Sequence, residues 1–238
     1  MTTTPNRKTQ IDAVLLKLPG VSSLALKGVL EEFRPAFERR LASRLDLRFD
    51  ATQAILAQIE DLRADLLVLT AEALEELRNS GKVAQVRALG SSGVGIAVRA
   101  GAPKPDIGSV DALKRALAAA SSVAHSKVGA SGLYFSELLQ RLDIPLKKRI
   151  VVEKGPVGLV VAAGEAELGV QQLCELAPVP GIDIVGPLPH ALQKLTHFAA
   201  GISARASNPE GALGLMHLLG SEAARAAMKR GGIAPAPA

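Results

Sequence analysis

Gly164-Glu165-Ala166-Glu167-Leu168-Gly169-Val170-Gln171-Gln172, then Pro178-Val179-Pro180-Gly181-Ile182-Asp183-Ile184-Val185-Gly186-Pro187-Leu188-Pro189, is the stretch whose reading decides the fold. Gly164 ends a helix, and a short acidic turn leads into an apolar strand from Leu168 that finishes on two side-chain amides. A second strand, Ile182 to Val185, stops at Gly186-Pro187, since proline has no amide to give to a ladder. Helix, turn, buried strand and polar strand end are the parts of an open α/β sheet. Such sheets take ligands at the carboxyl ends of their strands, so the stretch points to a cleft.

Upstream, the same alternation recurs. Leu30, Phe33, Phe37 and Leu41 are spaced by three and four, which marks an amphipathic helix led in by Gly20-Val21-Ser22-Ser23-Leu24 and expected to kink or divide at Pro35. Leu45, Leu47 and Phe49 alternate as a strand, and Thr52 is placed to cap a helix carrying Ile55, Ile59 and Leu62. Asp65 to Leu69 is a short buried strand, ended by Thr70, which can cap the helix Glu72 to Leu77. Strand Gly93 to Val98, a helix capped by Ser109, strand Ser122 to His125 and a helix with Phe135, Leu138, Leu139 and Leu142 on one stripe follow. Ile150 to Val152 is a strand, and Pro156 suits the first helical position before Val157, Val160 and Val161. Downstream, Phe198 to Ile202 reads as a returning strand, Asn208-Pro209 opens one helix and Ser221-Glu222 the last.

The bulk composition agrees. The chain has 238 residues, 48% of them apolar but only 3% aromatic, with no Trp. Its core is therefore Leu, Val, Ile and Ala, which suits parallel strands under Ala/Leu helices. Scarcity of flat rings disfavours sugar stacking or a single-strand nucleic-acid platform. Lys and Arg total 28 against 23 Asp and Glu, a net +5 without a basic run, so nucleic acid is not the expected partner and attraction of small anions is. Cys174 is the single cysteine, which rules out an intrachain disulfide and reads as a small buried residue. No run of eighteen apolar residues exists, so no membrane insertion is expected. Met1 to Gln10 is polar and Ile11 to Leu18 is broken by Asp12 and Lys17, a poor export signal. The expectation is a cytoplasmic protein, or a periplasmic one if a leader was removed.

Three segments carry the resemblance to a known family: Gly93-Val94-Gly95-Ile96-Ala97-Val98-Arg99-Ala100-Gly101-Ala102-Pro103-Lys104-Pro105-Asp106-Ile107, then Gly129-Ala130-Ser131-Gly132, then Gly164 to Gln172. Their order and spacing, from about Val21 to Ile233, resemble a divergent, molybdate-binding-protein-like branch of the type II periplasmic-binding-protein superfamily. The resemblance implies an α/β fold of two lobes, each a mostly parallel sheet flanked by helices, joined by two crossover strands near Val94 to Arg99 and Pro187 to Phe198. Lobe one would comprise residues 1–95 and 190–238, and lobe two residues 96–189.

Helix N-termini hold anions through free amides and a partial positive charge. Ser22-Ser23, Thr52 and Ser131-Gly132 each bring a hydroxyl or close backbone to such a terminus, and the resemblance puts all three on one cleft. Each is otherwise an ordinary helix start. Where molybdate binders of this superfamily present a Tyr, this chain has Gln171-Gln172, which suits an organic carboxylate as well as an oxyanion. Alternation directs the two amides to opposite sides. Tyr134, one turn into the Ser131 helix, is either a half-buried aromatic or a hydroxyl donor to the ligand.

No metal site is expected, because His125, His190, His197 and His217 show no ligand spacing. No cofactor is expected either: Gly90 to Gly95 lacks the Gly-Lys-Ser/Thr ending of a phosphate loop, the Rossmann spacing is missing and so is a Gly-x-Ser-x-Gly elbow. Two functions remain. One is a clamp for a small oxyanion or carboxylate, serving a transporter permease. The other is a cofactor-free isomerase, since a branch of the superfamily is similar to aconitate isomerase. An allylic proton shift needs one positioned base, for which His125 stands first and Glu153 second. A ligand-sensing domain is the third possibility.

Overall fold

The computed structural model describes residues 16–41 and 43–237. The reading of the first fifteen residues as lacking an export signal lies outside them. In chain order the elements are β1 (Leu16–Ser23), α1 (Lys27–Leu41), β2 (Ser43–Asp50), α2 (Thr52–Leu56), β3 (Leu66–Thr70), α3 (Ala71–Asn79) and the long β4 (Val83–Arg99). They continue with α4 (Val110–Ala119), β5 (Val123–Ser126), α5 (Ala130–Arg141), β6 (Arg149–Val152), α6 (Val157–Ala162), β7 (Leu168–Gln172), α7 (Leu173–Leu176) and β8 (Ile182–Pro187). Last come β9 (Leu195–Ser203), α8 (Pro209–Leu219), α9 (Glu222–Arg230) and the two-residue β10 (Ala234–Pro235). The result is a mixed α/β protein whose sheet runs β2-β1-β3-β9-β4-β7-β5-β6, with β8 and β10 also on β4.

The hydroxyls and amides that the sequence places before helices act as caps where they can reach. Thr70, Ser109, Asn208 and Ser221 accept hydrogen bonds from the amides of Ala73, Ala112, Gly211 and Ala224. Thr52 does not cap: Ala51 holds that position, and Thr52 is the first helical residue of a five-residue helix. Pro156 likewise sits one place earlier than expected, as the N-cap of α6. Helix α1 passes Pro35 without division, since its 15 residues form one helix anchored by Val29, Leu30 and Phe37. Burial of each such side chain contributes about 2 kcal/mol, enough to offset much of the cost of the missing amide bond.

Strand β1 is absent from the sequence reading. Pro19 and Gly20 in its middle obscure the alternation, yet the strand pairs in parallel with β2 along its whole length and with β3 from Gly20 to Ser22. Gly20 suits the close packing there, because a Cβ on it would stand 2.8 Å from Leu47 Cδ2 and 3.3 Å from the Leu66 carbonyl oxygen, so that Leu47 would have to move.

Strand β4 belongs to two sets of pairings. Its residues 83–93 pair with β9, and Val94 to Arg99 pair with β7 and β8. Directions then follow. β3 is antiparallel to β9, and β9 to β4, so β1, β2 and β3 run the same way as β4, toward the second set. β7 is antiparallel to β4, so β5, β6 and β7 run toward the first set. The strands that alternate with helices are parallel, and the long strands joining the sets are antiparallel to their neighbours. Each set has apolar residues packed on both faces: Leu18, Leu30, Phe37 and Leu215 opposite Leu67, Leu69 and Leu74 in one, and Leu113, Leu117 and Phe135 opposite Val157 and Val161 in the other.

Candidate functional site

Because the two sets of strands run toward each other, their carboxyl ends face across the middle of β4. Thr70, the last residue of β3, is level with Gly90 through Phe198, while Gln172, the last residue of β7, pairs with Val94. Those two levels are about 13 Å apart along an extended strand. The helices that follow these strands, α1, α2 and α3 on one side and α5, α6 and α7 on the other, therefore start at the facing strand ends, where Thr70 already accepts from the Ala73 amide of α3 and Gln171 from the Val157 amide of α6. Free amides and helix dipoles there favour an anion.

The serines at the end of β1 are buried. Ser22 Oγ donates to the Ser23 carbonyl at 2.9 Å, whereas Ser23 Oγ, in a residue 4% exposed, has no hydrogen-bond partner. Thr52 is half-buried at the head of α2. Across the region, Ser131 and Gly132 are buried in the first turn of α5, after the N-cap Gly129. A second unpartnered buried hydroxyl, Ser126 Oγ, ends β5. The sequence reading passed over Ser126. Its signal was a small polar residue at a strand end, three places before a Gly-x-x-Gly turn.

Gln171 and Gln172 diverge as a regular strand requires. Gln171 Oε1 accepts from the Val157 amide at 2.9 Å, satisfying the start of α6, and its Nε2 donates to Glu175. Gln172 Nε2 donates to Thr196 Oγ1 on β9 at 2.5 Å, and Cys174 Sγ lies 3.7 Å from its Oε1. Both amides are thus engaged within the protein. Tyr134 donates its hydroxyl to the Leu192 carbonyl at 2.7 Å, under Lys194 Nζ at 5.3 Å from the ring centre. That hydrogen bond ties α5 to the β8–β9 connection and engages the phenol proton within the protein.

The two named bases fare differently from expectation. His125 is 1% exposed, its Nε2 accepts from Arg149 Nε at 2.7 Å, and its Nδ1 lies 2.9 Å from the Ser126 carbonyl. Burial first, then the Arg149 charge, push its pKa below the ordinary histidine value, against the Ser126 contact. A neutral ring with both nitrogens occupied has no lone pair to offer a substrate. Glu153 is exposed and paired with Lys127 Nζ at 2.9 and 3.0 Å. The sequence missed Glu175, whose carboxyl burial raises its pKa, opposed by the bond from Gln171. Cys174 is inert, its thiol pushed up to about 12 by burial.

No cluster of three His, Cys, Asp or Glu side chains able to hold a metal occurs among the described residues. No helix among them is long and apolar enough to cross a membrane. A separate hollow of about 830 Å³ lies at the opposite ends of β1 and β3, bordered by Pro19, Arg63, Asp65, Lys82 and Arg205. Asp65 there is occupied, accepting from the amides of Ser207 and Asn208 and from Ser207 Oγ.

Residues 20–234 match the model of the family described as bacterial extracellular solute-binding protein. The chain belongs to that family. It is 41% identical over 232 residues to an aconitate isomerase from a Pseudomonas species, covering 92% of this chain and 87% of that one. In fold it is similar to the periplasmic molybdate-binding protein of Azotobacter vinelandii, with a TM-score of 0.66, 19% identity and 91% and 98% of the two chains covered. It is also similar to a tungstate-binding protein from Desulfovibrio alaskensis, with a TM-score of 0.62, 16% identity and 94% and 100% covered. Those identities speak for the fold, and the family for a solute-binding clamp.

Proposed function

We propose that the protein binds a small oxyanion or organic carboxylate between the facing strand ends, with residues 1–95 and 190–238 as one lobe and 96–189 as the other. The single observation that carries this reading is the opposed direction of the two strand sets, which brings the helix starts and the strand end bearing the unpartnered Ser23 hydroxyl toward a common region. The donors named are hydroxyls and amides. Nearby lysines have other partners, Lys27 over the Phe49 ring, Lys127 on Glu153 and Lys194 over Tyr134. A site of neutral donors suits an acceptor-only guest. Ligand contacts made in the closed arrangement would draw the lobes together. Delivery to a transporter permease is the role that family membership supports.

A second reading is favoured by the 41% identity to an aconitate isomerase: the same cleft would shift the double bond of an unsaturated tricarboxylate. Glu175 is then the candidate base: it follows the β7 strand end, is held by Gln171, and burial raises its pKa, which strengthens it as a proton acceptor. Incubation with cis-aconitate in deuterated water tests both readings. Clamp function alone gives saturable binding with neither isomerisation nor exchange. Isomerase function gives enzyme-dependent trans-aconitate carrying deuterium, abolished in Glu175→Gln. A wild-type protein that binds neither aconitate nor molybdate nor tungstate overturns the cleft itself.

A further inference from the structure

Ser126 ends β5 against the first turn of α5. Its Oγ is buried, in a residue 9% exposed, and has no partner. The space around it is kept by glycine: a Cβ on Gly129 would stand 2.6 Å from Ser126 Oγ, and one on Gly132 2.4 Å from it and 2.0 Å from the Ser126 carbonyl oxygen. A buried hydroxyl without a partner is costly, and a partner from outside the chain relieves that cost.

The walls of this recess are held by one side chain. Arg149 Nε donates to His125 Nε2 at 2.7 Å, which leaves the ring proton on Nδ1 to donate to the Ser126 carbonyl at 2.9 Å. Arg149 also donates to Ser136 Oγ at 2.6 Å, and that hydroxyl donates to the Gly132 carbonyl at 2.9 Å. Phe135 packs against the imidazole at a centroid distance of 5.6 Å. One arm ends on the carbonyl of Ser126 itself and the other on that of Gly132, whose backbone lies beside Ser126. The hydroxyl is left free while its backbone is fixed.

We propose that Ser126 is a ligand-contacting residue whose hydroxyl donates to a carboxylate or oxyanion oxygen seated on the first turn of α5, with His125 as the positioning residue that holds it. The proposal rests on the cleft reading above. It gives His125 a part that needs no free lone pair. It also gives Gly129 and Gly132 a reason, as the absence of side chains where the anion's donor must stand.

Titration calorimetry of the full chain with cis-aconitate, and with molybdate as a second probe, tests it. Ser126→Ala weakens binding about tenfold to a hundredfold, as expected for a hydrogen bond to a charged acceptor. The same variant does not lower the melting temperature of the ligand-free protein, because it breaks no existing bond. His125→Ala weakens binding, and His125→Asn, whose amide can still donate to the Ser126 carbonyl, restores most of it. Unchanged affinity in Ser126→Ala with weakened affinity in Ser23→Ala overturns the role of Ser126 and leaves the cleft standing. Absence of binding by the wild type to either probe overturns both.

Discussion

Glu175 couples the candidate site to pH. Its folded pKa is raised, so between the ordinary carboxylate value and that raised value the folded protein holds more protons than the unfolded one. Stability from this residue is full at low pH and is lost as pH rises through the folded pKa. We predict that Glu175→Gln melts higher than the wild type at pH 8, and that the gap closes as pH falls toward 4.5. His125 acts with the opposite sign, since its pKa is lowered: its contribution is present above about 6.5 and lost on acidification below that. Gly132 is the position least open to change, because a methyl there meets a carbonyl oxygen at 2.0 Å. Gly132→Ala should cost about 2 kcal/mol in chemical denaturation. At this scale the sequence shows which groups are polar and near strand ends, but not which of them already have partners. Tyr134 and His125 are polar residues at cleft-like positions, and nothing in their spacing reveals that Leu192 and Arg149 already occupy them. Ser126 went unseen because a lone strand-end serine is indistinguishable from a cap until its partners are known.

At the scale of elements, periodicity carried most of the information. Strands β2, β3, β5, β6 and β9 and the caps of α3, α4, α8 and α9 follow from alternation and from Thr, Ser or Asn before an apolar stripe. β1 escaped because proline and glycine interrupt it, and α1 was expected to yield at Pro35 because local propensity cannot register the packing of Phe37. The length of β4 also escaped: polar Gln85, Arg87, Ser91 and Ser92 hide a strand that continues from one pairing set to the next. Asp65 shows how elements are tied at the far end of the sheet. It accepts from the Ser207 and Asn208 amides at 2.7 and 3.1 Å, fixing the approach to α8. Asp65→Ala should cost about 2 kcal/mol by leaving those donors unpaired, and Asp65→Asn about half of that, since one oxygen still accepts. Urea titration of the two variants reads the difference.

For the whole molecule, the fold class was legible because an order of motifs over two hundred residues is far more specific than any one of them. The opposed strand directions, on which the proposed cleft rests, are a property of the pairing and show only in the assembled sheet. Ligand choice was not, since hydroxyls and amides accept many anions and the sequence shows no charged clamp. Binding to the folded state alone should raise stability by about 2.7 kcal/mol at a hundredfold excess over Kd, equivalent to a rise of several degrees in melting temperature. Where the anion sits is the more searching question, because the Asp65 and Lys82 hollow offers a rival location. Backbone amide shifts recorded while cis-aconitate is added to isotope-labelled protein answer it directly. The account predicts saturable shifts concentrated at Ser23 to Leu26 and at Gly129 to Gly132, on both sides of β4. Shifts confined to Arg63, Lys82 and Arg205, with those two segments unmoved, would contradict it.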